Sequence, residues 1–300
     1  MAFFADGPVR VTVPATSANL GPGFDSLGLA LDLRDELVGE VTGSGLEVEV
    51  RGVGAGDVPR DDSNLVVRAM RAAFAAMGLP PPGLRLSCDN AIPHGRGLGS
   101  SAAAIVGGAA LARALVVDGE TLLDDDSLFR LAAGIEGHPD NVAPALLGGF
   151  VISGKEGANF YALPSTVDSR ISVAVFVPPD PVSTEVARGL LPEQVSHADA
   201  AADAGRTALL VAALAQRPEH LFLATRDFLH QDFRRAAMPD SLDLVDRLRL
   251  DGVAATVSGA GPTVLAFTGA RHAAADLLER CPPSWECQHL EIDRVGVRVG

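Results

Sequence analysis

The stretch Pro93-His94-Gly95-Arg96-Gly97-Leu98-Gly99-Ser100-Ser101-Ala102-Ala103-Ala104 restricts the fold more than any other. Upstream, residues 84–87 alternate apolar and polar like a short strand. Downstream, residues 103–115 are small and apolar and read as a helix. The order is therefore strand, Gly-rich loop, helix start. Glycines allow positive φ and close approach of the backbone to a ligand. The first N–H groups of a helix lack internal partners and carry the positive end of its dipole. Such a junction suits an anion, most often a phosphate.

The spacing excludes two familiar phosphate loops. A P-loop needs a lysine between its last glycine and the Ser or Thr, but Ser100 follows Gly99 directly and the chain's one lysine is Lys155. A dinucleotide fingerprint needs G-x-G-x-x-G at the start of a βαβ unit, whereas Gly95, Gly97 and Gly99 are evenly spaced. Taken alone, the stretch also suits a tight turn with a serine N-cap. Against that reading stand the three small alanines 102–104, which admit close packing. Gly107 and Gly108 add to this, since inside a helix each costs roughly 1 kcal/mol relative to alanine and so implies close packing or function.

A chain of 300 residues, 47% hydrophobic and 21% charged, is globular and suits one large domain or two ordinary ones. No apolar run approaches the ~20 residues a membrane helix needs. Residues 1–6 are too short and lack the basic region of a signal peptide, so a cytoplasmic protein is expected. A net charge of −14 without a basic stripe argues against nucleic acid as a partner. An anionic ligand must then be held locally, by helix ends, scattered arginines and a metal ion. Cys88, Cys281 and Cys287 make an odd count without C-x-x-C spacing, which argues against both a disulfide scaffold and a zinc site. A bridge between Cys281 and Cys287 is not expected in a cytosolic protein.

Taken in order, residues 9–13 alternate as a strand, and residues 14–25 break every regular pattern. They read as a loop folded inward, with Asn19 and Asp25 beside apolar Leu20 and Phe24. Residues 36–41 and 46–50 read as strands and 64–77 as a helix. Asp124, Asp125 and Asp126 open a helix that Gly137 stops. Glu136, His138, Asp140 and Asn141 then crowd into six residues, and Pro139 suits the first position of a new helix. That crowding fits either a capped helix corner or a carboxylate for a cation beside polar groups for a small substrate. Residues 150–153 read as a strand, and a domain boundary is expected between 159 and 167. In the second half, strands are expected over 171–177, 252–256, 264–267 and 286–292, and helices from 183, over 197–215, 220–229 and 270–280. Arg234 and Arg235 read as a solvated face or as one ligand arginine. His197, His220, His230, His272 and His289 show no ligand spacing and read as structural or surface residues. The pattern suggests an α+β sandwich.

Three irregular stretches, 14–25, 93–104 and Ser258-Gly259-Ala260-Gly261-Pro262-Thr263, resemble the GHMP kinase superfamily in kind and in order, and span nearly the whole chain. The middle one matches that family's Pro-x-x-x-Gly-Leu-Gly-Ser-Ser-Ala pattern. Within the superfamily the chain is similar to the homoserine kinase branch, through Asn19-Leu20-Gly21-Pro22-Gly23-Phe24-Asp25, His138-Pro139-Asp140-Asn141-Val142-Ala143-Pro144, Ser183-Thr184-x-x-Ala187-Arg188, and Arg234 ahead of Met238-Pro239.

The resemblance implies an α+β, two-domain GHMP kinase fold. An N-terminal ribosomal-protein-S5-domain-2-like domain would cover residues 1–160, and a C-terminal ferredoxin-like domain 161–300. The implied activity is ATP-dependent phosphorylation of the side-chain hydroxyl of L-homoserine in threonine synthesis, with ATP and Mg²⁺. Pro93, His94, Gly95, Arg96, Gly97, Leu98, Gly99, Ser100, Ser101, Ala102 and Ala103 would wrap the ATP phosphates. Ser100 would lie near Mg²⁺, Glu136 would be its carboxylate ligand, and Asn64 would lie near the adenosine end. Asn19, Asp25, His138, Asp140, Thr184, Arg188, Arg234 and Gly261 would surround the amino acid, and Asn141 would contact the reacting hydroxyl. Asp25 or Asp140 suits an ammonium, and Arg188 and Arg234 suit a carboxylate. No side chain is expected to act as a full general base. A homodimer is an open reading, as are a mevalonate-pathway or sugar kinase and a non-catalytic ligand sensor on the same fold.

Overall fold

The computed structural model describes residues 3–268 and 274–300. His272 lies outside them, as does the start of the helix expected over 270–280, of which α10 (Ala274–Leu278) is described. Seven strands form the first sheet: β1 (Val9–Asn19), β2 (Gly23–Thr42), β3 (Gly45–Gly52), β4 (Gly83–Asn90), β5 (Phe150–Glu156), β6 (Asn159–Ser165) and β11 (Arg298–Val299). Their path runs β11-β1-β2-β4-β3. The long β2 serves two partners. Its early part, Leu27 to Leu29, pairs β5, and its later part, Glu36 to Thr42, pairs β4.

Helices α2 (Ser100–Ala114), α4 (Asp125–Glu136) and α5 (Val142–Leu147) pack against this sheet, α1 (Leu65–Ala76) packs on α2 and α4, and the short α3 (Gly119–Leu122) lies between α2 and α4 in the chain. The two glycines inside α2 are explained by closeness. A Cβ on Gly107 would stand 2.6 Å from Leu37 Cδ1 of β2, and one on Gly108 would stand 2.6 Å from the Val66 carbonyl of α1. Leu37 is buried under that helix, which contributes on the order of 2 kcal/mol.

The second sheet holds β7 (Val173–Val177), β8 (Ala255–Val257), β9 (Val264–Phe267) and β10 (Glu286–Leu290), in the order β10-β7-β9-β8. Counted within the sheet this is 4-1-3-2, the antiparallel order of a ferredoxin-like unit. α6 (Thr184–Gly189), α7 (His197–Gln216), α8 (Leu221–Ala224) and α9 (Pro239–Leu250) connect its first two strands. β7 is buried on both faces. Val173, Val175 and Val177 join the large core shared with the first sheet, while Ala174 and Phe176 join a smaller core with Met238, Leu242 and Val245 of the α9 region. Period-two alternation thus lets one strand weld two layers.

The structure departs from the sequence expectations at several places. Most of 14–25 is strand rather than loop: β1 runs to Asn19, β2 starts at Gly23, and only Leu20, Gly21 and Pro22 form the turn. Register shifts at Pro14/Ala15 and Ala18/Asn19 absorb the proline and the irregular composition. Pro139 does not open a helix; α5 begins at Val142. The helix expected over 220–229 ends at Ala224, where the Thr225 hydroxyl bonds the Leu221 carbonyl and the Asp227 carboxylate takes the N–H groups of Leu229, His230 and Gln231. β6, β11 and α9 have no counterpart among the expectations. β6 carries the first sheet to Ser165, and β11 returns to it after the second sheet is complete. Asp293 secures that return by pairing with Arg34 and Arg298 and accepting the N–H groups of Val295 and Gly296. Cys281 and Cys287 do form a disulfide, contrary to expectation, because the turn between α10 and β10 brings their Cα atoms to 6.0 Å. Among the described residues, no helix is long and apolar enough to cross a membrane.

Candidate active site

The three irregular stretches meet. Gly95, Gly97 and Gly99 all adopt positive φ (63°, 76° and 70°). A Cβ on Gly97 would lie 2.3 Å from the Ser258 carbonyl and 2.8 Å from the Gly261 carbonyl, and one on Gly99 would lie 1.9 Å from Thr16 Oγ1. Backbone bonds complete the junction: Thr16 donates to Leu98, Gly259 to Ala18 and Thr263 to Arg96. The Ser258 hydroxyl bridges the Gly97 carbonyl and the Ser17 hydroxyl. Asn19 donates to the Gly259 carbonyl and accepts the N–H of Asp25. Gly99 is the N-cap residue of α2 and no side chain caps the helix, so the serine-cap reading fails. The first N–H groups of α2 are left for a ligand.

Two cavities flank that helix start, and Ser100 and Ser101 line both. One, of about 300 Å³, lies between α1, α2 and the sheet and is lined by Val13, Leu37, Val58, Pro59, Asn64 and Ala104 among others. Its apolar walls suit a flat ring. Asn64 takes part mainly as the N-cap of α1: it accepts from the N–H groups of Val66 and Val67 and donates to Pro59. His94 and Asp35 also reach this cavity. Asp35, buried beneath the N–H groups of Ala91 and Ile92, is pushed up to about 6 by that burial.

The second cavity, of about 240 Å³, is polar. Glu136, the last residue of α4, accepts a 2.6 Å bond from Ser101, and burial raises its pKa. Asn141 accepts the Thr16 hydroxyl at 2.8 Å, which leaves its amide nitrogen free to donate. His138 Nδ1 lies 3.3 Å from Asp140 Oδ1. The pair is close enough for charge attraction but poorly aligned for a hydrogen bond, and among the described residues neither atom has another partner. Pairing with Asp140 nevertheless raises the His138 pKa, against the effect of burial.

On the facing wall, Arg188 grips Asp25 through two bonds of 2.6 and 3.0 Å. Arg234 is only 1% exposed, yet its hydrogen bonds go to neutral groups: the Ala187 and Gly259 carbonyls and His230 Nδ1. Its guanidinium and that of Arg188 each lie 5.4 Å from the Phe24 ring. Burial, and then the nearby Arg188 charge, push Arg234 down to about 10. It remains a cation at neutral pH, desolvated and, among the described residues, without a carboxylate in contact.

The polar cavity gathers Asn19, Gly95, Gly97, Gly99, Ser100, Ser101, Glu136, His138, Asp140, Asn141, Thr184, Arg188, Arg234 and Gly261 from the sequence expectations. Others fall elsewhere. Leu98 and Ala102 are buried in the core. Arg96 lines neither cavity, and its guanidinium bonds the carbonyls of Pro178, Pro179 and His94. Pro93 lines neither cavity, and Asp25 reaches the site through Arg188. Sequence reasoning missed Phe24 and His230 as site residues. The four-residue step from His230 to Arg234 was the available signal. The acidic run at 124–126 caps α4, with Asp124 accepting the Ser127 N–H.

The family model for the GHMP kinases N terminal domain matches residues 64–149, and that for the GHMP kinases C terminal matches 208–283. A curated homoserine kinase of Streptomyces avermitilis is 53% identical over 99% of this chain and 97% of its own length. One from Clavibacter michiganensis is 52% identical over 97% and 93%. Among solved structures, a homoserine kinase from Cytophaga hutchinsonii is similar over 100% of both chains, with a TM-score of 0.85 at 25% identity.

Proposed function

This chain belongs to the GHMP kinase family, among its homoserine kinases, and from that membership we propose that it transfers the γ-phosphoryl group of ATP to the side-chain hydroxyl of L-homoserine. One observation carries the substrate assignment: a buried arginine with no carboxylate of its own, Arg234, opposite an unsatisfied buried carboxylate, Asp140, in one small cavity beside an open helix start. A zwitterionic amino acid complements both charges, whereas a sugar or an isoprenoid precursor offers no such pair.

In this reading Arg234 holds the substrate carboxylate and Asp140 its ammonium. Arg188, already matched by Asp25, forms the adjoining wall. Asn141 donates its amide N–H to the oxygen of the reacting hydroxyl and fixes its direction toward the loop. Asn141 cannot accept a proton there, so the hydroxyl keeps its proton until late in the transfer. Phosphoryl transfer tolerates this, because its transition state is loose and positioning with charge stabilisation supplies most of the rate. The N–H groups at the start of α2 and the glycines of 95–99 take the phosphate oxygens, and the apolar cavity takes the nucleoside. A donor set of one carboxylate and a neighbouring hydroxyl, Glu136 with Ser100 or Ser101, fits Mg²⁺, which favours few protein ligands beside phosphate oxygens. Bound there, Mg²⁺ would offset the phosphate charge. The chain then works as two units, one around each sheet, that meet at this cavity.

The test is ADP release by the purified protein with Mg-ATP, comparing L-homoserine with mevalonate, galactose and L-serine. Turnover with L-homoserine alone is expected. Turnover with another substrate would overturn the amino-acid pocket but keep the phosphate loop, and ATP binding without turnover would favour a sensor. Asp140→Asn should retain measurable turnover. A fall far beyond ~10⁴ with substrate binding intact would instead make Asp140 the base.

A further inference from the structure

His230 has no solvent exposure and lies behind Arg234, away from the ligand side of the cavity. Its Nε2 is 2.7 Å from the Gly21 carbonyl, so that nitrogen carries the hydrogen. Nδ1 is therefore an acceptor, and it stands 3.1 Å from Arg234 Nη1. Every neighbour reinforces this arrangement. Gly21 is held in a positive-φ turn so tight that a Cβ there would meet the Thr225 carbonyl at 2.4 Å. Phe24 stacks on the imidazole at 5.1 Å and 24°. The Asp227 carboxylate is engaged by three backbone N–H groups and is 3.5 Å from Nε2, farther than Gly21.

We propose that His230 is a positioning residue for substrate recognition: as the neutral Nε2–H tautomer, anchored to Gly21, it presents Nδ1 to Arg234 Nη1 and thereby orients the guanidinium for the substrate carboxylate. With Nη1 on His230 and Gly259, and Nε on Ala187, the Nη2 group is left for the ligand. The inference rests on the reading of Arg234 as the carboxylate-binding residue. The imidazole sets only which way the fork points; the charge is the arginine's own. An arginine fork recognises a carboxylate through fixed planar geometry, so a loss of orientation costs affinity even when the charge remains.

The test is a double-mutant cycle read in KM for L-homoserine. In His230→Gln the amide nitrogen can reach Gly21 but no acceptor stands at the Nδ1 position. KM for L-homoserine should rise roughly ten-fold, the loss of one hydrogen bond to a charged group, while KM for ATP stays put and kcat changes far less. His230→Asn, whose Oδ1 occupies the Nδ1 position, should recover most of that loss. On an Arg234→Met background, His230→Gln should add nothing further. Effects that add on that background would mean a general structural role and overturn the proposal. An unmoved KM in His230→Gln, while Arg234→Met raises it, would sink the histidine's role and leave the arginine's. An unmoved KM in Arg234→Met would sink both. If His230→Gln does not fold, ¹⁵N-imidazole NMR of the wild-type protein near pH 7.5 decides. The Nε2–H tautomer, with an Nδ1 shift that responds to L-homoserine, is expected. An Nδ1–H or doubly protonated ring would refute the assignment.

Discussion

Replacing Arg234 by methionine should separate stability from recognition. The side chain is almost wholly buried, so the folded protein bears the cost of a desolvated cation. Burial pushes its pKa down to about 10, which corresponds to roughly 3 kcal/mol lost by holding that charge in place. Methionine removes the cost at similar length. It also forfeits three hydrogen bonds, to Ala187, Gly259 and His230, worth about 1 kcal/mol each. The two contributions nearly cancel, so the ligand-free variant should unfold in urea within about 1 kcal/mol of the wild type, as apolar replacements of buried charges often do. Binding should behave otherwise. Removing one member of a buried charge pair costs at least about 2–3 kcal/mol, and KM for L-homoserine should rise on the order of 100-fold. Urea denaturation without ligand and initial rates of ADP release measure the two quantities. A variant that loses more than about 3 kcal/mol of stability while keeping its KM would show that Arg234 holds the fold together and not the substrate.

Glu136→Gln should cut turnover steeply and weaken its dependence on Mg²⁺, while L-homoserine binding measured by calorimetry stays; unchanged turnover would remove the metal assignment. Gly97→Ala forces positive φ on a side chain and sets a Cβ 2.3 Å from the Ser258 carbonyl, so a loss above about 3 kcal/mol is expected. A thermal midpoint within about 2 °C of the wild type would contradict the described junction. Burial pushes the Asp35 carboxyl up to about 6 from the ordinary 3.8, so the folded state holds more protons between those values. Its contribution therefore lowers stability as pH rises from about 4 to about 6, by up to roughly 3 kcal/mol. Asp35→Asn should flatten that part of the profile, and an identical slope in the variant would refute it.

The chemistry-bearing stretches were legible because their signals are local. Three glycines ahead of two serines permit positive φ at the entry to a helix, and Gly107 and Gly108 pointed to the close packing of α2. The helices expected from 64 and from 183 do start there, with Asn64 and Ser183 as their N-caps. The misreadings arose where distant segments decide local form. Residues 14–25 look like a loop because proline, glycine and small polar residues crowd there, but pairing with β2 and two register shifts make most of them strand. β11 is two residues long and takes its form from β1. The disulfide depends on how α10 and β10 approach. His230 looked like an ordinary lone histidine because its partners, Gly21 and Phe24, lie far away in the chain. α9 was readable: Leu242, Val245 and Leu248 follow Pro239 at helical spacing, and all three are buried.

The return of β11 to β1 also has a temporal meaning. A growing polypeptide leaves the ribosome with β1, β2 and the glycine loop first, yet the strand beside β1 and the Asp293 clasp on Arg34 are translated after the whole of the second sheet. Nascent domains ordinarily fold in order of emergence. Here the first sheet is begun first and closed last, so a translation intermediate that lacks residues 293–299 lacks both its edge strand and the clasp on Arg34.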